Sequence, residues 1–405
     1  MKAETLLKGI ILTNGIVFTQ EALMLAKKHQ AKGQNLCYNL PDTQEALLRP
    51  QELFIQNQDD GYETVVSCVA PHKTRPPVTI DANNDCFCIR GIELPFNVAN
   101  IKIDTVPEPD YYSHVLSNGS IAKEYVSACG YDELNILPWH GCAISRQCAF
   151  CGINKVSSLV KHKGKLTASE ISKLPQLWNQ NESAYLSSLS EAILVARNDK
   201  IYSNHLHPIM ISGNLSDSLL NFEAEIYARI AKKIVPYLKG YATDGIIAVI
   251  EPPPSDDRLL LMKESGIETV VFNIEVACEP WRSDFCPGKN TIAKNYICQR
   301  LYDALPIFGK NHVWTNFVFG LEPMDGVLVQ SEILAKNGIV PSANVFHSDS
   351  GSRLCNYTPP IFEDTLVFFK SLASIYYKYG LKPFYCAKAL RTSLSNEAYE
   401  GRLEE

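Results

Sequence analysis

The stretch Leu137-Pro-Trp-His-Gly-Cys-Ala-Ile-Ser-Arg-Gln-Cys-Ala-Phe-Cys-Gly152 places Cys142, Cys148 and Cys151 in the spacing C-x5-C-x2-C. Three thiols this close on one loop read as metal ligands. Soft sulfur donors select zinc, copper(I) or iron–sulfur clusters. A structural zinc site needs a fourth ligand and usually shows two C-x2-C pairs; here there is one pair with a third cysteine upstream. Three thiolates suit a [4Fe–4S] cluster with one iron left open, and Phe150 adds an apolar shield. A zinc loop, or three unrelated buried thiols, is the alternative reading.

Outward from this loop the chain alternates short apolar runs with helical patterns. Leu134–Trp139 reads as a strand that delivers the loop. Strands are expected at 207–213, 245–250, 268–274, 312–319 and 340–346. Helices are expected at 167–198, 219–234, 256–265, 291–308, 324–337 and 362–379, with Leu219, Phe222, Ile226, Ile230 and Ile234 on one face of the second. Six β-branched, continuously apolar strands separated by helices imply parallel pairing with both sheet faces covered. The fold class is therefore α/β, an open partial (β/α)6 TIM-like barrel over 109–405. Residues 1–108 read as a small, strand-rich α+β domain. In it a strand or hairpin is expected over 8–18, turning at Asn14-Gly15, then a helix over 20–30. Hairpins are expected about Asp59-Asp60-Gly61 and Asn83-Asn84-Asp85, and Pro107–Asp110 reads as the linker.

The cysteine loop, with an aromatic residue inside C-x2-C and a strand just ahead, resembles the cluster loop of radical S-adenosylmethionine (SAM) enzymes. Two extra residues separate the first two cysteines relative to the commoner C-x3-C-x2-C; relatives of the HmdB maturase carry the longer form. The resemblance implies a [4Fe–4S] cluster on Cys142, Cys148 and Cys151, with S-adenosyl-L-methionine on the open iron. It also implies an electron donor such as flavodoxin or ferredoxin and a small-molecule substrate. Ile211-Ser-Gly-Asn-Leu-Ser-Asp217 resembles the family's Gly-Gly-Glu segment, with Gly213 matching and Asn214 in place of the second glycine. Asn273 and Glu275 lie where the family contacts the ribose, and alternation would point both into the barrel. Gly320 and Glu322 loosely match the segment near the adenine. Each has a plainer reading: a strand-to-helix turn for 213–217, a structural ion pair for Glu275. Glu251 before Pro252-Pro-Pro254, and His140, Asn344, Phe346, His347, Asp349 and Arg353, are further groups at strand ends.

The 405 residues include 46% hydrophobic and 20% charged, enough for a sizeable core. A net charge of -6 argues against nucleic acid as partner. No run of about 20 apolar residues would span a membrane. Thirteen cysteines behind an opening without a cleavage pattern imply a reducing cytoplasm. Cys278, Cys286, Cys298, Cys355 and Cys386, or Cys68, Cys86 and Cys88, are candidates for a second cluster, and any one of them for a radical relay. An iron–sulfur or metal-site maturation factor, and a non-catalytic zinc or iron–sulfur binding module, are the competing functions.

Overall fold

In the computed structural model, which describes residues 1–33, 49–90, 100–144, 147–154, 173–200, 207–242, 244–289, 293–349, 351–383 and 390–404, the first part of the strand or hairpin expected over 8–18 belongs to a helix, α1 (Ala3–Asn14). Leu6, Leu7, Ile10 and Ile11 fall at helical spacing and are all buried. The helix ends at Gly15, where φ is +82° and an added Cβ would stand 2.3 Å from the Ala70 carbonyl oxygen. Asn14-Gly15 therefore stops a helix instead of turning a hairpin. Burial on all sides overrides the β-branched propensity of Ile10-Ile11-Leu12-Thr13.

Strand β1 (Ile16–Phe18) follows, then α2 (Gln20–Lys28), whose first turn is capped by the Thr19 hydroxyl accepting from Ala22 N–H at 3.2 Å. Strands β2 (Glu52–Asn57) and β3 (Glu63–Ser67) form the first expected hairpin. Strands β4 (Val78–Asn83) and β5 (Cys86–Arg90) form the second, turning through Asn84 and Asp85 with φ of 49° and 60°. Two adjacent positive φ values make the type I′ turn that suits the strand twist. Strand β6 (Ile101–Thr105) completes a sheet β3-β2-β6, and β1 pairs parallel with β4.

The barrel begins with a strand that the sequence pattern did not reveal. Strand β7 (Val126–Cys129) pairs antiparallel with β8 (Glu133–Ile136) across a three-residue connection. After β8 every pairing is parallel, through β9 (His207–Ile211), β10 (Ile246–Val249), β11 (Ile267–Val271), β12 (Val313–Phe319) and β13 (Val340–Val345). Sheet order follows chain order from β7 to β13. Between and after these strands lie α3 (Leu174–Arg197), α4 (Leu220–Leu238), α5 (Asp256–Glu264), α6 (Trp281–Phe285), α7 (Lys294–Phe308), α8 (Met324–Lys336) and α9 (Phe362–Tyr379), with α10 (Ser395–Tyr399) near the end. This is the expected partial (β/α)6 barrel with one antiparallel strand added. Residues 167–172 of the first expected barrel helix lie outside the described residues. On α4, Ile226, Ile230 and Ile234 are fully buried as expected, while Leu219 and Phe222 are half-buried.

Side chains of the N-terminal part link the two edges of the barrel sheet. On β7, Ala128 donates its N–H to the Tyr112 hydroxyl at 2.9 Å, and its carbonyl accepts from Lys32 Nζ at 3.0 Å. Lys32 in turn contacts Glu52 Oε2 at 2.6 Å, and both side chains are wholly buried. Glu52 also accepts the Gly130 N–H at 3.1 Å and pairs through Oε1 with Arg391. The Arg391 carbonyl receives Ser67 N–H from β3, and the Thr392 carbonyl receives Val345 N–H from β13. Two more buried pairs, Lys8–Glu397 at 2.7 Å and Glu4–Arg402 at 2.6 Å, fasten α1 to the C-terminal segment.

Burial alone would raise the Glu52 carboxyl, but Lys32 and Arg391 outweigh it and hold its pKa below the usual range. A lowered folded pKa stabilises above the ordinary glutamate range, about pH 4, and that contribution is lost as pH falls through the folded value. Glu52→Gln leaves two buried cations without a counter-charge and should lower unfolding free energy by about 3–5 kcal/mol at neutral pH. In urea titrations, the gap between variant and wild type should close as pH falls below about 4.

Candidate functional site

The cysteine loop leaves β8 at the carboxyl end of the barrel and lies against the loop that leaves β9. An added Cβ on Gly213 would stand 2.3 Å from the Gly141 carbonyl oxygen and 2.5 Å from Cys142 Cβ, so only glycine permits this approach. Ala143 N–H donates to the Asn214 carbonyl at 2.9 Å, and Trp139 Nε1 donates to the Gly213 carbonyl at 2.6 Å. Asn154 clamps Cys142 from the other side, accepting its N–H at 2.7 Å and donating to its carbonyl at 2.8 Å. The second half of the loop rests on other strand ends. Ala149 N–H donates to the Phe285 carbonyl at 2.7 Å, Leu354 N–H to the Ala149 carbonyl at 3.1 Å, and Arg353 to the Gln147 carbonyl at 3.1 Å. Phe150 and Cys148 pack beside Val276, Cys286, Val318, Leu321 and Phe346.

Next to the sulfurs lies a buried charge cluster. Lys289 Nζ contacts Glu251 Oε1 at 2.8 Å and Glu275 Oε1 at 3.1 Å, and also donates to the Asn273 carbonyl at 3.3 Å. Asn214 Nδ2 donates to the same Glu251 oxygen at 2.7 Å. Burial alone would lower the Lys289 pKa, but Glu251, Glu275 and Cys148 raise it well above the ordinary lysine range, so it is charged. Burial raises the Cys142 thiol, although the backbone amides of Ile144 and Asn214 oppose it. The Cys148 thiol is lowered, first by its hydrogen bond with Cys286 and then by Lys289, against desolvation. Glu251 Oε2 and Asn273 Oδ1 are buried and take no protein hydrogen bond, so each offers an acceptor to a polar guest.

Local geometry explains how the fourth barrel strand contributes. It ends at Val271, three residues before the expected end at 274. Strand alternation therefore does not aim Asn273 and Glu275. Instead Glu275 adopts φ +66°, held because its N–H donates to the Asn316 carbonyl and its own carbonyl accepts Val318 N–H, each at 2.9 Å. A non-glycine residue there stores about 1–3 kcal/mol of strain. Arg282, fully buried, fixes the following loop by donating to the carbonyls of Ile274, Val276 and Lys289.

Glu322 stands apart from this cluster. Its two oxygens accept the Ala277 and Cys278 N–H groups at 2.6 and 2.7 Å, and burial raises its pKa in spite of them. His347 is half-buried, with its pKa pushed down to about 4 by desolvation, and Nδ1 lies 3.3 Å from the Val345 carbonyl. Asn344 accepts from Thr392 Oγ1, and Asp349 from Gly351 N–H, so both serve the loop.

Among the described residues, no three His, Cys, Asp or Glu side chains converge closely enough to hold one metal ion, the three loop cysteines included. Thiolates sharing one tetrahedral ion stand about 3.8 Å apart, from metal–sulfur bonds of about 2.3 Å. Of the other candidate cysteines, Cys355 and Cys86 are exposed, Cys68 is buried in the N-terminal part, and Cys386 lies outside the described residues.

No family model matches the sequence. The chain is 24% identical over 276 residues to bacteriochlorophyllide c C-7(1)-hydroxylase of Chlorobaculum limnaeum, covering 65% of this chain and 64% of that one. It thus spans just under two thirds of that relative's length. Solved structures that it matches include coproporphyrinogen III oxidase (HemN) of Escherichia coli, described as a radical SAM enzyme, with TM-score 0.41, 12% identity and coverage of 68% and 60% of the two chains. Two others are HydG, a maturase of the [FeFe]-hydrogenase (TM-score 0.39, 16% identity, 60% and 48%), and methylornithine synthase PylB (TM-score 0.38, 12% identity, 63% and 64%). The chain is similar to radical SAM enzymes.

Sequence reasoning had named Cys142, Cys148, Cys151, Phe150, Gly213, Asn214, Asn273 and Glu275, and most of these meet at one end of the barrel. It gave Glu251 little weight, although Glu251 stands two residues past the end of β10. It missed Asn154, and it missed Lys289, which sits in a turn with no local signal.

Gly213→Ala would force the cysteine loop away from β9. It should destabilise the protein by about 1–3 kcal/mol, read as a lower denaturant midpoint. Alkylation of Cys142 by iodoacetamide, followed by peptide mass spectrometry, should be faster than in wild type.

Proposed function

We propose that this chain is a radical SAM enzyme whose Cys142, Cys148 and Cys151 hold a [4Fe–4S] cluster and whose adjoining charge cluster binds S-adenosylmethionine. The observation that carries this reading is the meeting of the cysteine loop with Asn214, Glu251, Glu275 and Lys289 at one end of the barrel. The donor set fits the group. It offers thiols beside a buried cation, orphaned acceptors on Glu251 and Asn273, and an apolar wall at Phe150. When bound, the cluster and SAM together supply a 5′-deoxyadenosyl radical that takes hydrogen from carbon.

The chain's own residues bind and orient. Lys289 supplies a positive charge for the methionine carboxylate. Glu251 Oε2, beside Asn214, supplies an acceptor for the methionine ammonium. Glu275 and Asn273 supply acceptors for ribose hydroxyls. Gly213 lets the β9 loop approach Cys142 so that these groups share one pocket, and Phe150 and its neighbours keep water from it. Glu322 holds the 275–278 loop in shape. Residues 1–108 form a unit at the rim of the site: Arg75 donates to the carbonyls of Pro359 and Pro360, and Lys73 to Asn356, all in the loop that follows β13. The substrate is a small biosynthetic metabolite, with a flavodoxin or ferredoxin as electron donor. No described helix is long and apolar enough to cross a membrane.

Anaerobic reconstitution with iron and sulfide, followed by reduction with dithionite, should give a brown protein that converts SAM to 5′-deoxyadenosine. Replacing Cys142, Cys148 and Cys151 together by Ala should abolish both the chromophore and the product; turnover by that variant would overturn the assignment. Glu251→Gln keeps the side chain's shape and removes its charge. It should bind SAM at least about tenfold more weakly, a loss near 1.4 kcal/mol, with iron content unchanged in parallel analysis.

A further inference from the structure

The register of the barrel strands sets three open acceptors side by side. Val249 of β10 pairs with Val271 of β11, Val271 with Trp314 of β12, and Trp314 with Val340 of β13. Two residues further along stand Glu251, Asn273 and Asn316, with Ser342 paired to Asn316. Phe272 N–H donates to the Trp314 carbonyl and Glu275 N–H to the Asn316 carbonyl, both at 2.9 Å, so the chain at Asn273 runs beside Asn316. Alternation on β12 aims Asn316 into the barrel. Phe319 stacks on Phe368 of α9, on the helix-covered face, with ring centroids 4.1 Å apart. Val318, on the opposite face with Asn316, belongs to the apolar group against which Cys148 and Phe150 pack. Glu251 Oε2, Asn273 Oδ1 and Asn316 Oδ1 are all buried and take no protein hydrogen bond. Asn344, the carboxamide on the next strand, is already engaged by Thr392 Oγ1.

Building on the proposed function, we infer that Asn316 binds the ribose of S-adenosylmethionine together with Asn273, each carboxamide oxygen accepting from one of the two vicinal hydroxyls. The ligand then lies across the strand ends, with its methionine ammonium at Glu251 after β10 and its ribose at β11 and β12. Neighbouring strands are about 4.8 Å apart, close enough for two side chains to share one diol. The diol supplies two donors, and the two orphaned oxygens match them in number. Glu275 Oε1 is already taken by Lys289, which leaves the carboxamides as the more available acceptors. A hydroxyl also accepts, so the amide nitrogen of Asn316 can serve the same group. A buried acceptor without a donor is unfavourable, and a ligand that lacks the hydroxyl leaves it so.

The test measures binding of 5′-deoxyadenosine, 2′,5′-dideoxyadenosine and 3′,5′-dideoxyadenosine by equilibrium dialysis. The proteins are anaerobically reconstituted wild type, Asn316→Leu and Asn316→Ala, with iron content measured in parallel. Leu keeps the side chain's shape without its hydrogen bonds. Wild type should bind each dideoxy analogue about fivefold or more weakly than 5′-deoxyadenosine. Both variants should bind 5′-deoxyadenosine more weakly by a similar factor, and for one of the two hydroxyls its removal should then cost nothing more. Variants that bind 5′-deoxyadenosine as wild type does, or that keep both hydroxyl penalties in full, overturn the inference. So does loss of iron from either variant, because a ribose contact does not hold the cluster. Failure of wild type to take up a cluster and bind the nucleoside overturns the proposed function instead.

Discussion

A lysine ammonium with almost no access to water must be matched by carboxylates, or the fold cannot keep it charged. Lys289 meets that condition between Glu251 and Glu275. Desolvation of each partner is severe, and the attraction returns it only when geometry and the remaining hydrogen bonds are good. Here Glu251 Oε1 also accepts from Asn214, and the Asn273 carbonyl takes part of the ammonium. The ion group therefore ties together the loops after β9, β10 and β11, and through Asn214 it reaches the cysteine loop. Glu251 Oε2 and Asn273 Oδ1 remain unsatisfied in this cluster. An unsatisfied buried acceptor is unfavourable in isolation, and it becomes useful where a polar ligand completes it.

A second set of buried charges does a different job. Glu52, Lys32 and Arg391 connect the edge strand β7, the N-terminal sheet and the segment after β13. Open sheet edges expose backbone groups that need partners. In this chain Ala128 on β7 finds side chains, and Val345 on β13 finds the Thr392 carbonyl. The N-terminal and C-terminal segments thus share one ionic network although they are more than 330 residues apart, as the 339-residue separation of Glu52 and Arg391 shows. In the charge group at the site and in the group at the barrel edges alike, the buried ions are paired.

Much of the barrel was readable because parallel strands buried on both faces are short, apolar and β-branched, and because the helices between them repeat at 3.6 residues. Two local features misled or were silent. Ile10-Ile11-Leu12-Thr13 has strand propensity, yet α1 forms because Glu4 and Lys8 find buried partners in the C-terminal segment. Strand β7 has only four residues and follows no strong turn signal, so its pairing with β8 emerges only in the sheet. At the site, the cysteine loop and Gly213 were visible as motifs. Lys289 was not, since a single lysine in a loop looks like any solvated lysine until two carboxylates close on it.

The sequence by itself determined the alternation of strands and helices, the trio of thiols and their place after the first parallel strand, because periodicity and spacing are properties of neighbouring residues. Only the tertiary structure decided which side chains surround those thiols. Asn214, Glu251, Glu275, Lys289 and Cys286 come from loops after β9, β10 and β11, and burial and charge pairing across the barrel, not local propensity, bring them together.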